Sequence, residues 1–160
     1  MMRRWVGSAR KLRRLPSPKR RLLVAATLLI LANKLALTLL PYRKLSGLVD
    51  RLGRAVPPPG RARAASPERI AWAVARTGYF VPKATCLTQA LAAKVLLERS
   101  GHPAQVRVGF GRSEDARLVA HAWVESDGQV VLGGLDLTRY APVLGLDAIW
   151  SRAVEAEADR

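Results

Sequence analysis

A single cysteine, Cys86, and two histidines, His102 and His121, are all the thiol and imidazole groups in this 160-residue chain. One cysteine excludes an internal disulfide, so the chain carries no mark of an oxidising compartment and is compatible with the cytosol. So few thiols and imidazoles also leave no credible metal cluster. Acidic residues are almost missing from the first 65 positions, where Asp50 stands alone against sixteen Lys and Arg. The other 95 residues carry eleven basic and eleven acidic side chains. The high isoelectric point therefore belongs to the first part, and an electrostatic partner would be met there. Aromatic residues are sparse at 6%. No base-reading helix or aromatic stacking platform is recognisable, so a non-catalytic basic module binding nucleic acid or a membrane surface is a disfavoured alternative. Gly109-Phe110-Gly111 is followed by no Lys-Ser or Lys-Thr pair, which excludes a phosphate loop.

What is present divides at Val56-Pro57-Pro58-Pro59-Gly60, the clearest break in the chain. Residues 1–59 read as a basic arm and N-terminal helices, and residues 60–160 as a separate domain. Met1–Lys19 has little apolar pattern and is expected to lack structure in isolation. Leu22–Leu40 is rich in Leu and Ala and reads as a helix, with Ser17 as its N-cap and Pro18 in the first turn. A second short helix is expected from Pro41 to about Arg54. Ser66-Pro67-Glu68 opens a third, ending near Thr77 with Gly78 as its stop. A fourth spans about Thr85–Arg99, apolar around most of its circumference and hence central. The period then changes to two. Strands are expected at Ala104–Gly111, Ala120–Glu125 and Gln129–Leu132, the last two joined by a hairpin at Asp127-Gly128. A final helix is expected over Leu146–Ala158.

Leu22–Leu40 is long enough to span roughly 28 Å of hydrocarbon at ~1.5 Å per residue. Asn33 and Lys34 interrupt it, and a mid-bilayer lysine costs about 2.5–3.5 kcal/mol. Thr27, Lys34 and Thr38 share one face. Packing on the chain's own domain or on a partner is therefore favoured over a membrane span, with membrane-surface contact through residues 1–54 left open. Arg20-Arg21 precedes the apolar run without a small-residue cleavage site at a natural distance, so export is not favoured.

Cys86 stands at the start of the fourth helix. A free thiol titrates near ~8.5 and only the thiolate attacks well. A helix N-terminus supports the anion, an imidazole can take the proton, and a carboxylate can orient the imidazole. His121 and Asp136 follow in that order, the first on a strand and the second just past the next strand. Each of the three has a bland reading: a small buried apolar residue, a sheet histidine, a turn carboxylate. In order and in these settings they make a candidate Cys86–His121–Asp136 triad. Glu125 competes for the third role, Asp127 is better explained by the turn, and His102 reads as exposed beside a helix end.

The segments Cys86–Ala93, Leu96–Ala104 and Ala120-His121-Ala122-Trp123-Val124-Glu125, then Gly133-Gly134 with Asp136, together resemble the transglutaminase-like cysteine proteases of lasso-peptide biosynthesis. The resemblance covers about residues 70–143 and extends to the Leu-rich helix followed by Leu39-Leu40-Pro41-Tyr42-Arg43. It implies an α+β fold, with a papain/transglutaminase-like core in which the nucleophile begins a central helix packed on a small antiparallel sheet, preceded by N-terminal helices. It implies that Cys86 is the nucleophile, His121 the general base and then acid, and Asp136 the orienting carboxylate, with no cofactor and no metal. Trp123 and Glu125 match the motif and are expected to pack near the site. The implied activity is removal of a leader from a ribosomally made precursor peptide. Some members carry a fused β-rich leader-binding domain. The helical, basic N-terminal part here implies instead a separate small leader-binding protein, with a lasso cyclase acting afterwards. Acyl transfer to an amine is the alternative chemistry for the same triad. The expected setting is a bacterial cytoplasm, with association to the membrane left open.

Overall fold

In a computed structural model, which describes residues 16–54, 65–112, 117–134 and 137–143, the first element is a 23-residue helix, α1 (Ser17–Leu39). Its Leu and Ala are strong helix formers. Pro18 falls in the first turn, where a missing N–H costs nothing. The cap position is Pro16 rather than Ser17, and no side chain closes that end. Pro41 precedes α2 (Tyr42–Arg54). The third helix, α3 (Pro67–Phe80), starts after Ser66. A hydrogen bond from the Ser66 side chain, with a backbone bond second, holds the exposed Glu68 carboxyl below its ordinary range. This helix runs three residues past Thr77, because Gly78 stays helical instead of ending it. The side chain of Gln89, on the next helix, occupies the space that a β-carbon at position 78 would need.

The fourth helix, α4 (Cys86–Arg99), is the centre of the molecule. One side of it meets Leu45 and Val49 of α2 through Leu91 and Val95. The rest packs with Ala26 and Ile30 of α1, Ile70 and Val74 of α3, and the sheet residues Val108, Ala122 and Val124. Each fully buried Val, Leu or Ile among these contributes about 1.5–3 kcal/mol. An apolar surface on nearly every side explains why α4 shows no single hydrophobic stripe. Lys94 adds a polar tie, reaching Asp50 of α2 at 3.2 Å, the carboxylate of Glu98 and the carbonyl of Ala104 at 3.1 Å.

Four strands follow: β1 (Gln105–Arg112), β2 (Leu118–Ser126), β3 (Gln129–Leu132) and β4 (Tyr140–Val143). They form one sheet in the order β3-β2-β1-β4. Each neighbouring pair is antiparallel, with Gly109 opposite His121 in the β1–β2 register. The β2–β3 hairpin turns at Asp127-Gly128, both with positive φ (49° and 75°), as a tight primed turn requires. Three of these strands are legible in the sequence and β4 is not. A strand of four residues containing a proline gives no period-two signal, and it is tolerated here because β4 lies at the sheet edge. The fold is thus α+β, four helices and a small antiparallel sheet among the described residues. The final helix expected at 146–158 lies outside the described residues.

Candidate active site

Five residues separate α3 from α4, and they set the position of Cys86. Lys83 takes a left-handed conformation (φ 57°), which reverses the chain after Ala84 N–H bonds to Val81 O at 3.2 Å. Thr85 then caps α4 in a reciprocal box. Its Oγ1 accepts from Thr88 N–H at 3.2 Å, and its own N–H donates to Thr88 Oγ1 at 3.0 Å. Two otherwise unpaired donors are satisfied this way, and the helix start is fixed to a single residue. That residue is Cys86, the first of α4. Its thiol is partly buried against the core rather than sealed inside it. The amide dipoles of the helix point their positive end at this position.

α4 packs across β2, the strand that carries His121. Alternation along β2 sends Ala122 and Val124 into the core with α4. His121 and Trp123 occupy the alternate positions, where their rings stack with centroids 6.4 Å apart. The ring of Tyr140 on β4 lies tilted against that of His121, with centroids 5.1 Å apart. The Nε2 of His121 lies 2.8 Å from the carbonyl oxygen of Gly133. A carbonyl can only accept, so Nε2 carries the hydrogen, and in the neutral ring Nδ1 is the proton acceptor. Gly133 has φ +80°, and a β-carbon there would stand 3.0 Å from Ala122 O and 3.1 Å from Trp123 Cα. Glycine is what lets this segment run close enough to β2 for its carbonyl to meet the ring.

Glu125 is occupied elsewhere. Its Oε1 accepts from the indole N–H of Trp123 at 2.9 Å, and its Oε2 accepts from Arg107 Nε at 3.1 Å. It fastens the buried indole beside His121, which is the packing role expected of the Trp123–Glu125 pair. His102 is half-buried rather than exposed, with Nε2 3.0 Å from Ala65 O. It ties the start of α3 to the end of α4. Asp136, the expected orienting carboxylate, lies outside the described residues. The structure thus puts Cys86 and His121 on adjoining elements. It adds two neighbours of His121, Tyr140 and the Gly133 carbonyl, that sequence reasoning missed. The Gly133-Gly134 pair was the available signal for the second; nothing in the sequence marked the first. Among the described residues no group of His, Cys, Asp and Glu is arranged to hold a metal ion.

The family model described as the transglutaminase-like superfamily matches residues 28–145. The chain belongs to the transglutaminase-like superfamily. No curated protein and no solved structure matches it. The superfamily match takes in the second half of α1 and all of α2, α3, α4 and the sheet, so it reaches into the N-terminal helices that pack on α3 and α4. Enzymes of the transglutaminase-like superfamily are generally cysteine proteases or acyltransferases, and Cys86 is the sole candidate for the sulfur.

Proposed function

We propose that this chain is the cysteine peptidase that removes the leader from a ribosomally made lasso-peptide precursor. One observation carries the reading: Cys86 is the first residue of a capped central helix that packs on the strand bearing His121. In the proposal Cys86, His121 and Asp136 converge on the substrate. Within the superfamily, leader removal is supported by the resemblance of the segments at Cys86, His121 and Gly133-Gly134 to the lasso-peptide leader peptidases.

The reaction has two halves. The Cys86 thiol gives its proton to Nδ1 of His121, and the sulfur attacks the scissile carbonyl. Backbone N–H groups at the start of α4 face the developing oxyanion. Collapse breaks the C–N bond, and the leaving amine, which is the core peptide, takes the proton from His121. The leader remains as a thioester on Cys86. A water then loses a proton to His121 and attacks the thioester. The leader leaves as a carboxylic acid and the thiol is restored. Asp136 is assigned the electrostatic support of the imidazolium, whose Nε2–H is already held by the Gly133 carbonyl. A separate small protein presents the leader, and a cyclase closes the freed amine onto a side-chain carboxylate.

The test combines the purified chain, a candidate precursor and the small leader-binding protein, with peptide masses as the readout. Two shorter peptides are expected, none of them formed by Cys86→Ala. Cleavage that survives this substitution removes the peptidase reading. A heavier conjugate in place of two fragments would make the chain an acyltransferase acting on an amine, the other chemistry of the superfamily.

A further inference from the structure

α1 is long and apolar enough to cross a membrane by length and composition, but only one side of it is used by the protein. Leu23, Ala26, Ile30 and Asn33 are buried against the rest of the molecule. The opposite side carries Val24, Leu28, Leu31, Leu35 and Leu39, which are 43–70% exposed. Spacings of three and four residues place all five in one stripe along the helix. Leu48 and Leu52 of α2 are exposed as well. A continuous exposed apolar face of this kind marks an interaction surface.

The polar groups of the helix are turned away from partners on that face. Lys34, the only charged residue between Leu22 and Leu40, donates to Pro82 O at 2.9 Å. The hydroxyls of Thr27 and Thr38 bond back to Leu23 O and Leu35 O. Cations are concentrated in the sequence that precedes the stripe. The first 21 residues contain nine Lys and Arg and no acid. Asp50, the only acid of the first 65 residues, is held by Lys94 and Arg54. Beside the stripe, a groove of about 580 Å³ is lined by Leu28, Leu29 and Leu52 together with Arg21, Arg69 and Arg99.

We propose that the outward face of α1 docks on an anionic lipid bilayer, with the helix lying in the plane of the interface. Leucines enter the acyl boundary while the flanking cations meet lipid phosphates, the chemistry that a groove of leucines and arginines also suits. A span is disfavoured because the other face is committed to α3 and α4. A helical partner is disfavoured because the stripe offers no polar side chain to set a register. Docking has a consequence for the site. Lys34 holds the loop before Cys86 through Pro82, and Asn33 Nδ2 reaches Thr88 O in the first turn of α4 at 3.4 Å. The nucleophile end of α4 would stand about one helix diameter, ~10 Å, above the lipid.

Vesicle binding is read without substrate, so its outcome is independent of the peptidase chemistry. The full chain is mixed with phosphatidylcholine vesicles prepared with and without phosphatidylglycerol and sedimented at low salt. At least about tenfold more protein is expected on the anionic vesicles, and an alkaline carbonate wash should release it. Leu28→Glu combined with Leu35→Glu should reduce that binding at least about tenfold with unchanged circular dichroism, since both residues already face water. A direct readout places a polarity-sensitive fluorophore on Leu31→Cys in a Cys86→Ala background, with a blue shift expected on anionic vesicles. Unshifted emission overturns the proposal, as does equal binding by the double variant, which would leave the basic arm alone responsible. Resistance to carbonate would indicate a span and overturn it too. So would self-association lost in the double variant with no vesicle binding, which would assign the stripe to a second copy of the chain.

Discussion

His121 donates its Nε2 hydrogen to the carbonyl of Gly133 across 2.8 Å, so the ring's tautomer is set by a backbone group. The segment that supplies this carbonyl depends on a residue without a side chain. The same ring lies against Tyr140 and is flanked by Trp123. Its orientation is therefore constrained by three neighbours before any carboxylate is considered.

Gly133→Ala tests that arrangement. An L side chain at φ +80°, with a β-carbon 3.0 Å from Ala122 O, should cost about 1–3 kcal/mol of stability. The specific consequence is loss of the Nε2–H hydrogen bond. Nitrogen NMR of the imidazole should show Nε2 protonated and Nδ1 bare in the parent at high pH, and a mixture of tautomers in the variant. A parent ring protonated on Nδ1 alone would contradict the assignment.

The Thr85 cap predicts a graded series. Thr85→Ala removes the acceptor for Thr88 N–H and should lower stability by about 1 kcal/mol. Thr85→Ser keeps the oxygen and should cost much less. Urea unfolding measures both. Because the cap also fixes where α4 begins, precursor cleavage should fall in the alanine variant even at temperatures where it remains folded. Equal stability of all three proteins would mean that the box contributes nothing.

These contacts show what the sequence could disclose. Element types came from periodicity and punctuation, so α4 was legible as a central helix beginning at about Thr85, though not that Thr85 caps it, and Asp127-Gly128 as a turn. The α+β order and the place of Cys86 followed. Gly78 misled because a glycine's local signal is the same whether it ends a helix or makes room for a neighbour, and only the packing of Gln89 distinguishes the two. β4 was invisible because four residues with a proline are held by pairing to β1, a long-range cause. Tyr140 went with it, and its contact with His121 could not be read. The Gly133 carbonyl escaped because motif reasoning looks at side chains.

Lys94 joins α2, α4 and the start of β1 at one point. It is 16% exposed and faces Asp50 and Glu98 together, while Glu98 Oε2 is buried with no hydrogen-bond partner. Lys94→Met keeps the stem but leaves Glu98 without its cation and Asp50 with Arg54 alone. A loss of about 1–3 kcal/mol is expected, and Glu98→Gln added to Lys94→Met should restore part of it. Calorimetry on the four members of that cycle gives the coupling, and strict additivity would mean the pair does not interact.

Glu125 offers the last separation, between packing and chemistry. Trp123 is 5% exposed, and its indole N–H has the Glu125 carboxylate as acceptor at 2.9 Å. Glu125→Ala strands that buried donor, at about 1–3 kcal/mol, and loosens the ring that stacks beside His121. Glu125→Gln preserves an oxygen for the indole and should retain most of the stability, despite losing the charge that pairs with Arg107. If Glu125 works only through Trp123, cleavage rates should follow the packing: near parental in Gln, lowered in Ala, with tryptophan emission shifted to the red in Ala alone. If the glutamine variant is folded and emits like the parent yet is inactive, the carboxylate itself takes part in the reaction, and the third member of the triad would have to be reassigned from Asp136 to Glu125.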